Sequence, residues 1–297
     1  MRFFSFLLLF QLMICSCREL VENEFADFQS VPTINSILVA DSTIKVHVSL
    51  AEKLDTNKLA LIDNAQVLLF VDGVYNETLI RFDEGTYSST TVVEPHKTYH
   101  CEVDIPGYKT VSCSDALPKS AIISDILHIN KAGKDEEGMT YPAIKFTFTN
   151  DPAEKQYFEV VIRLIEYGHE RSADLEIITD PLILNEGLPV ALFSNNLIND
   201  SIYTMTINYF TGSAGSSNGE PIHTNLYPLI LEVRSVSYNY YQYVRQLYLY
   251  EKGRYLEFLT GSITAYPLYS NIQGGYGIFA GYSFMQSDTI YPNYPGN

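Results

Sequence analysis

From Thr33 to Leu117, apolar and polar positions exchange with a period of two, in short runs separated by turn residues. The runs are Ile34–Leu38, Thr43–Leu50, Ala65–Val71, Glu77–Phe82, Thr86–Val92, Thr98–Asp104 and Lys109–Ser114, with Asp72-Gly73, Asp83-Glu84-Gly85 and Pro106-Gly107 among the breaks. Period two places alternate side chains on opposite faces of a strand. Runs at this spacing therefore predict a β-sandwich, immunoglobulin-like or prealbumin-like. In Thr43–Leu50 the residues Ile44, Val46, Val48 and Leu50 share the inner face, which leaves Lys45, His47 and Ser49 toward water.

Proline ends this pattern at Leu117-Pro118, and a second β-rich region opens with Ile122–Ile129. Lys131–Thr140 is charged and carries glycine, so it predicts an exposed loop. Ile144–Thr149 and Tyr157–Glu166 alternate as strands around an Asp151-Pro152 turn, whereas residues 180–200 show no clean period and predict a long loop with short ordered pieces. Gly212–Gly219 is a loop tip flanked by the strand-like runs Ser201–Phe210 and Leu229–Arg234. One stretch changes period. Between Ser237 and Lys252, Tyr240, Val244 and Leu247 recur at helical spacing with Tyr241 and Tyr248 alongside, and Gly253 follows, so one tyrosine-rich helix is expected.

The first residues belong to neither region. Arg2 precedes an apolar run, Phe3–Ile14, too short to span a bilayer, and Ser16-Cys17 follows with an aliphatic residue three positions before the cysteine. This arrangement is similar to a bacterial lipobox, in which the cysteine is acylated and becomes the new N-terminus. Cys17 is thus the expected lipid anchor, preferred over Cys15 because Ile14 would occupy a cleavage position that favours a small side chain. The expected organisation is a signal peptide over 1–16, an acidic tether over 17–30, a β-sandwich domain over 31–117 and a β-rich domain over 118–297. Glu19, Glu22 and Glu24 in the tether loosely fit an acidic export signal for the cell surface.

Composition narrows the function classes. The chain has 297 residues, 46% apolar and 18% charged, with 23 Tyr, 16 Phe and no Trp, a balance that favours a pleated, packed protein over a disordered one. With 35 acidic against 19 basic side chains its formal charge is −16, which repels phosphate backbones and excludes nucleic acid as an expected partner. Once Cys15 is removed with the signal and Cys17 is acylated, Cys101 and Cys113 remain. The Ile105–Tyr108 turn sets them opposite one another in a hairpin, where a cross-strand disulfide and two buried free thiols on one face both fit. No third or fourth ligand lies near them, so neither a metal nor a cofactor is expected.

The histidines at 47, 96, 100, 128, 169 and 223 are scattered, and no His-Glu-x-x-His or Gly-x-Ser-x-Gly run stands in a recognisable setting, so the expectation is a protein that is not an enzyme. Gly274, Gly275, Gly277 and Gly281 suit a tight loop returning into a final strand, with Ile278 and Phe279 as apolar anchors. No Lys-Ser or Lys-Thr pair follows them, against a nucleotide-binding loop. Tyrosine combines a broad apolar face with a hydroxyl and suits recognition. The candidate binding or interface residues are therefore Tyr238, Tyr241, Tyr248, Asn271, Tyr276 and Phe279, with Tyr282, Tyr291 and Tyr294 nearby; core packing is the competing expectation for each tyrosine.

The runs Lys145-Phe-Thr-Phe-Thr-Asn-Asp-Pro152, Gln156-Tyr-Phe158, Ser237-Tyr-Asn-Tyr-Tyr-Gln-Tyr243 and Ser270-Asn-Ile-Gln-Gly-Gly-Tyr-Gly-Ile-Phe-Ala-Gly-Tyr282 resemble the DUF4249 family of Bacteroidetes lipoproteins. Gly85-Thr-Tyr87 and Thr98-Tyr99 extend the resemblance toward the N-terminus, while Glu94-Pro-His-Lys97 stands where a glycine turn is expected. The resemblance implies an outer-membrane lipoprotein with no established reaction, commonly encoded beside a TonB-dependent transporter. The expectation is a non-enzymatic accessory or binding component of such a system, working with its β-barrel in nutrient capture; the alternative is a stand-alone adhesin or glycan-binding lipoprotein.

Overall fold

A computed structural model describes residues 29–52, 60–175, 177–211, 215–217, 220–222, 226–253 and 266–292. The signal region and Cys17 lie outside the described residues, as do His223 and Tyr294.

The protein is mainly β. The first half contains β1 (Val31–Val39), β2 (Thr43–Ala51), β3 (Ala60–Leu61), β4 (Gln66–Val71), β5 (Val74–Thr78), β6 (Ile80–Asp83), β7 (Thr86–Val92), β8 (Thr98–Asp104) and β9 (Val111–Ala116). The second contains β10 (Ile123–Lys134), β11 (Thr140–Thr149), β12 (Tyr157–Glu166), β13 (His169–Ser172), α1 (Pro181–Glu186), β14 (Leu192–Ser194), β15 (Ile202–Asn208), β16 (Gly215–Ser217), β17 (Glu220–Ile222), β18 (Leu229–Val236), α2 (Tyr238–Gly253) and β19 (Tyr276–Gln286).

One long sheet runs through both halves in the order β13-β12-β18-β19-β1-β2-β7-β6, with β14 added to β12 and β3 to β2. Its inner face is covered in the first half by the sheet β5-β4-β8-β9 and in the second by β10-β11-β15, giving two sandwiches that share a layer. The first core holds Ile34, Ile44, Val46, Leu69, Tyr99 and Val103; the second holds Phe146, Phe148, Phe158, Phe193, Leu231 and Val233. The alternation read in Thr43–Leu50 holds over its first part, where Ile44, Val46 and Val48 are buried and Lys45 is exposed; at its end it fails, since Ser49 is buried and Leu50 only partly so where β3 pairs alongside.

The first and last described strands meet in the middle of the shared sheet. β19 pairs antiparallel with β18 and parallel with β1, in a register that sets Asn35 beside Ile278 and Val39 beside Tyr282. Phe279 enters the first core and is fully buried, while Ile278 and Ala280 face the opposite side under α2. A strand covered on both faces needs a continuous apolar run rather than alternation, and Ile278-Phe-Ala280 supplies it. Close approach explains two of the glycines. A Cβ on Gly281 would lie 2.6 Å from Leu117 Cδ1 and 2.8 Å from the Leu38 carbonyl oxygen, and one on Gly277, whose φ is +111°, would lie 2.0 Å from the Ile34 carbonyl oxygen. The strand thus crosses the Leu117–Pro118 boundary: the two cores separate there, but the sheet does not.

Two expectations about strand limits need correction. Glu77–Phe82 is not one strand: β5 pairs with β4 and β6 with β7, in different layers, and the buried Leu79 between them turns the corner with its N–H on the Val67 carbonyl at 2.8 Å. Lys131–Thr140 is not wholly a loop. β10 continues to Lys134 and pairs with β11 across a tight Asp135–Met139 tip, held by Asp135 Oδ1, which accepts from the Glu137 and Met139 N–H groups at 3.0 and 2.7 Å. Polar edge residues had concealed the extra strand.

Candidate functional site

The tyrosine-rich helix forms as its spacing predicts, and it lies on the outer face of the shared sheet. Ser237 starts it: its Oγ accepts from Tyr240 N–H at 3.1 Å, and its own N–H donates to the Gly281 carbonyl at 2.9 Å. Tyr240 and Tyr241 are buried against Tyr157, Leu192, Val236, Ile278 and Ala280. The Tyr241 ring stacks 4.5 Å from Tyr157, and its hydroxyl donates to Glu186, which also pairs with Arg245 Nη1 at 2.6 Å. Burial pushes the hydroxyls of both Tyr240 and Tyr241 well above the usual phenol range, so both are protonated donors.

Several predicted binding residues are therefore structural. Tyr241 belongs to the helix–sheet interface and Phe279 to the first core, where neither presents a face to a ligand. Asn271 acts as a miniature strand: its Nδ2 donates to the Phe279 carbonyl at 2.7 Å, and its Oδ1 accepts from Phe279 N–H at 2.9 Å. Beside it, Gln273 and Ser112 exchange backbone hydrogen bonds, so this segment closes the β9 edge of the first sandwich. Tyr248 is half-buried with Lys252 Nζ over its ring, whereas Tyr238 and Tyr276 are 52% and 55% exposed. Tyr282 lies under the Arg234 guanidinium, and Tyr291 is exposed. The structure does not gather these residues into one pocket. Cys101 and Cys113 are direct cross-strand partners and both are buried free thiols; the contact with Cys113, together with burial, pushes the Cys101 thiol well above its ordinary range.

Beside α2 runs a charge ladder that the linear sequence did not disclose. Arg163 of β12 pairs with the nearly buried Glu232 of β18, Glu232 with Arg234 Nε at 2.6 Å, Arg234 Nη1 with Glu159 at 2.8 Å, and the Tyr240 hydroxyl donates to Glu159 at 2.9 Å. Cross-strand register brings the charges together, since Glu159 faces Arg234 and Arg163 faces Ile230. Each charge has an opposite partner, so the ladder serves to attach strands and helix to one another.

The open space lies at the seam between the sandwiches. A cleft of about 360 Å³, within the size range of small-molecule sites, is lined by four segments that are remote in sequence, one of them Ser235 of β18. His96 comes from the β7–β8 turn, Lys119 from the connector between the halves, and Asp151, Glu154 and Gln156 from the β11–β12 turn; Phe158 lies at its base. Hydrogen bonds fix this arrangement on both sides. His96 N–H donates to the Leu117 carbonyl at 2.9 Å, Ala121 N–H to Ser235 Oγ at 3.0 Å, and Ile122 N–H to Thr149 Oγ1 at 2.9 Å. The acidic turn is organised by Asn195, whose Nδ2 donates to Asn150 Oδ1 and to the carbonyls of Asp151 and Glu154 at 2.8–3.1 Å, while its Oδ1 accepts from Gln156 N–H at 3.0 Å. His96 adopts φ +63°, a conformation that favours glycine. Here the departure noted at Glu94–Lys97 places an imidazole on the rim.

No group of three or more metal-ligating side chains occurs among the described residues. No helix among them is long and apolar enough to cross a membrane.

The family model described as a domain of unknown function, DUF4249, matches residues 19–288. The chain belongs to the DUF4249 family. Its match embraces both sandwiches, the seam cleft and the closing strand, so the whole described fold is the DUF4249 unit. No curated protein matches this DUF4249 chain. Among solved structures, it is similar to a putative membrane anchored protein from Corynebacterium diphtheriae at 12% identity and a TM-score of 0.21, over 71% of this chain and 56% of that one. The DUF4249 chain thus spans a little over half the length of that protein.

Proposed function

We propose that this DUF4249 protein is a non-enzymatic binding lipoprotein of the outer membrane, anchored through Cys17 and working beside a TonB-dependent β-barrel in nutrient capture. The observation that carries a binding role is the seam cleft: its walls are fixed by backbone hydrogen bonds and its rim is polar, the form of a preorganised ligand site. The ladder charges of Arg163, Glu232, Arg234 and Glu159 are matched to one another, and the contact with Cys113 together with burial raises the Cys101 thiol away from nucleophilic use. The anchor is supported by the Ser16-Cys17 motif and the apolar run before it. Two or three acyl chains, each CH2 contributing about 0.8 kcal/mol, are enough for stable attachment.

The test is affinity purification from detergent-solubilised outer membranes. A large β-barrel recovered in stoichiometric amount supports the reading, whereas recovery of the lipoprotein alone favours a stand-alone adhesin or glycan binder. Cys17→Ala should move the protein out of the membrane fraction; unchanged partitioning contradicts the anchor.

A further inference from the structure

We propose that the seam cleft is a binding site for short zwitterions, free amino acids or the termini of short peptides, in which an ammonium and a carboxylate stand a few atoms apart. This deepens the binding role proposed above and is independent of the barrel partnership.

The lining carries both signs of charge on separate segments. The positive charge is that of Lys119 on the connector, with the imidazole of His96 beside it from the turn hydrogen-bonded to that connector, and the negative charges are those of Asp151 and Glu154 on the turn that Asn195 organises. The side chains of Lys119, His96 and Glu154 make no hydrogen bond or ion pair with any other described residue, in contrast to the matched charges of the outer face. Asp151 uses Oδ1 to hold its own turn, accepting from Ala153 N–H at 2.9 Å, which leaves Oδ2 for a ligand. Gln156, which also lines the cleft, spends its carbonyl on Asp151 N–H at 2.9 Å, which leaves its amide N–H groups as donors for a ligand. A carboxylate then meets Lys119, His96 and the Gln156 amide, and an ammonium meets Glu154 and Asp151.

Other ligand classes fit less well. Sugar rings stack their C–H faces on exposed aromatic rings, but the phenyl of this lining, Phe158, is only 1% exposed. A purely anionic ligand would approach a chain of formal charge −16 with two carboxylates on the rim. The volume, about 360 Å³, matches a dipeptide-sized molecule rather than a long chain.

The experiment is calorimetric titration of the full chain, purified in detergent, with alanyl-glutamine, its N-acetyl and C-amide derivatives, and maltose. Saturable binding of the free dipeptide is expected, weakened about tenfold by blocking either end, the equivalent of losing one charge contact of about 1.4 kcal/mol. Glu154→Gln should weaken the free dipeptide by a similar factor and leave the N-acetyl form unaffected, while Lys119→Gln should do the same with respect to the C-amide; both side chains are exposed, so both variants retain the fold. Absence of dipeptide binding, equal binding of blocked and free forms, indifference to both variants, or saturation by maltose alone overturns the proposal. If it fails while the barrel still copurifies, only the ligand class is lost; if it holds and no barrel appears, the partnership is lost instead.

Discussion

The two sandwiches share a sheet but use its outer face differently. In the first half, that face carries Lys45, Thr43 and Thr86, remains open to water and leaves stability to the core beneath it. In the second, the same face is roofed by α2 and crossed by the Glu159–Arg234–Glu232–Arg163 ladder, so its strands are held from both sides. A one-sided sheet alternates and declares itself in sequence; a two-sided one does not. The difference also bears on function, because the charges of the ladder are satisfied by one another, whereas Lys119 and Glu154 at the seam are not.

The largest effect should come from breaking the strand that joins the halves. Gly277→Ala combines a left-handed backbone with a Cβ 2.0 Å from the Ile34 carbonyl and should destabilise the protein by about 4 kcal/mol, measured by urea unfolding. Gly73→Ala has φ +78° but nothing within 4 Å, and should cost only about 1 kcal/mol. Equal effects would mean that β19 does not support both sandwiches.

Next in size is a pH effect at the same junction. Asp115 of β9 is buried beneath the start of α2, where Asn239 Nδ2 donates to it at 2.8 Å; burial raises its pKa from 3.8 to about 6 against the hydrogen bonds that lower it. The folded state therefore binds this proton more tightly than the unfolded one. Its contribution is most favourable below pH 4 and is lost as pH rises through 6, by about 3 kcal/mol in all. Asp115→Asn removes that component, so the difference between wild-type and variant stabilities should change over this window; a constant difference from pH 4 to 7 would refute the assignment.

Within the second half, Asn195→Ala removes the organiser of the acidic turn and should cost about 2 kcal/mol while weakening ligand binding at the cleft. A smaller effect tests the roof itself: Tyr238→Ala removes a half-exposed ring 5.6 Å from Tyr157 and should cost under about 1 kcal/mol. A loss as large as that of Asn195→Ala would show that the roof depends on its rim as well as on its buried tyrosines.

Strands, helix and closing loop were legible wherever a local period or a turn residue marked them. The Leu79 corner was hidden because β5 and β6 are consecutive and each is too short to establish a phase of its own. The β1–β19 pairing was hidden for another reason, since parallel partners more than 200 residues apart in sequence leave no local mark. The tyrosines were correctly grouped on one helix, but helical spacing does not reveal which side is roofed, and Tyr241 proved structural. The cleft draws on segments around positions 96, 119 and 154, joined only by folding; the unusual His96 turn was its one visible trace.

Native-state hydrogen exchange at low denaturant tests most directly whether the two sandwiches are one body joined through β19. The amides of β1, β18 and β19 should exchange in a single cooperative step at the global unfolding free energy, and Gly277→Ala should lower that step for all three together. Opening of β1 and β2 at a distinctly lower free energy, with β12 and β18 still protected, would contradict the shared sheet as the element that joins the two sandwiches.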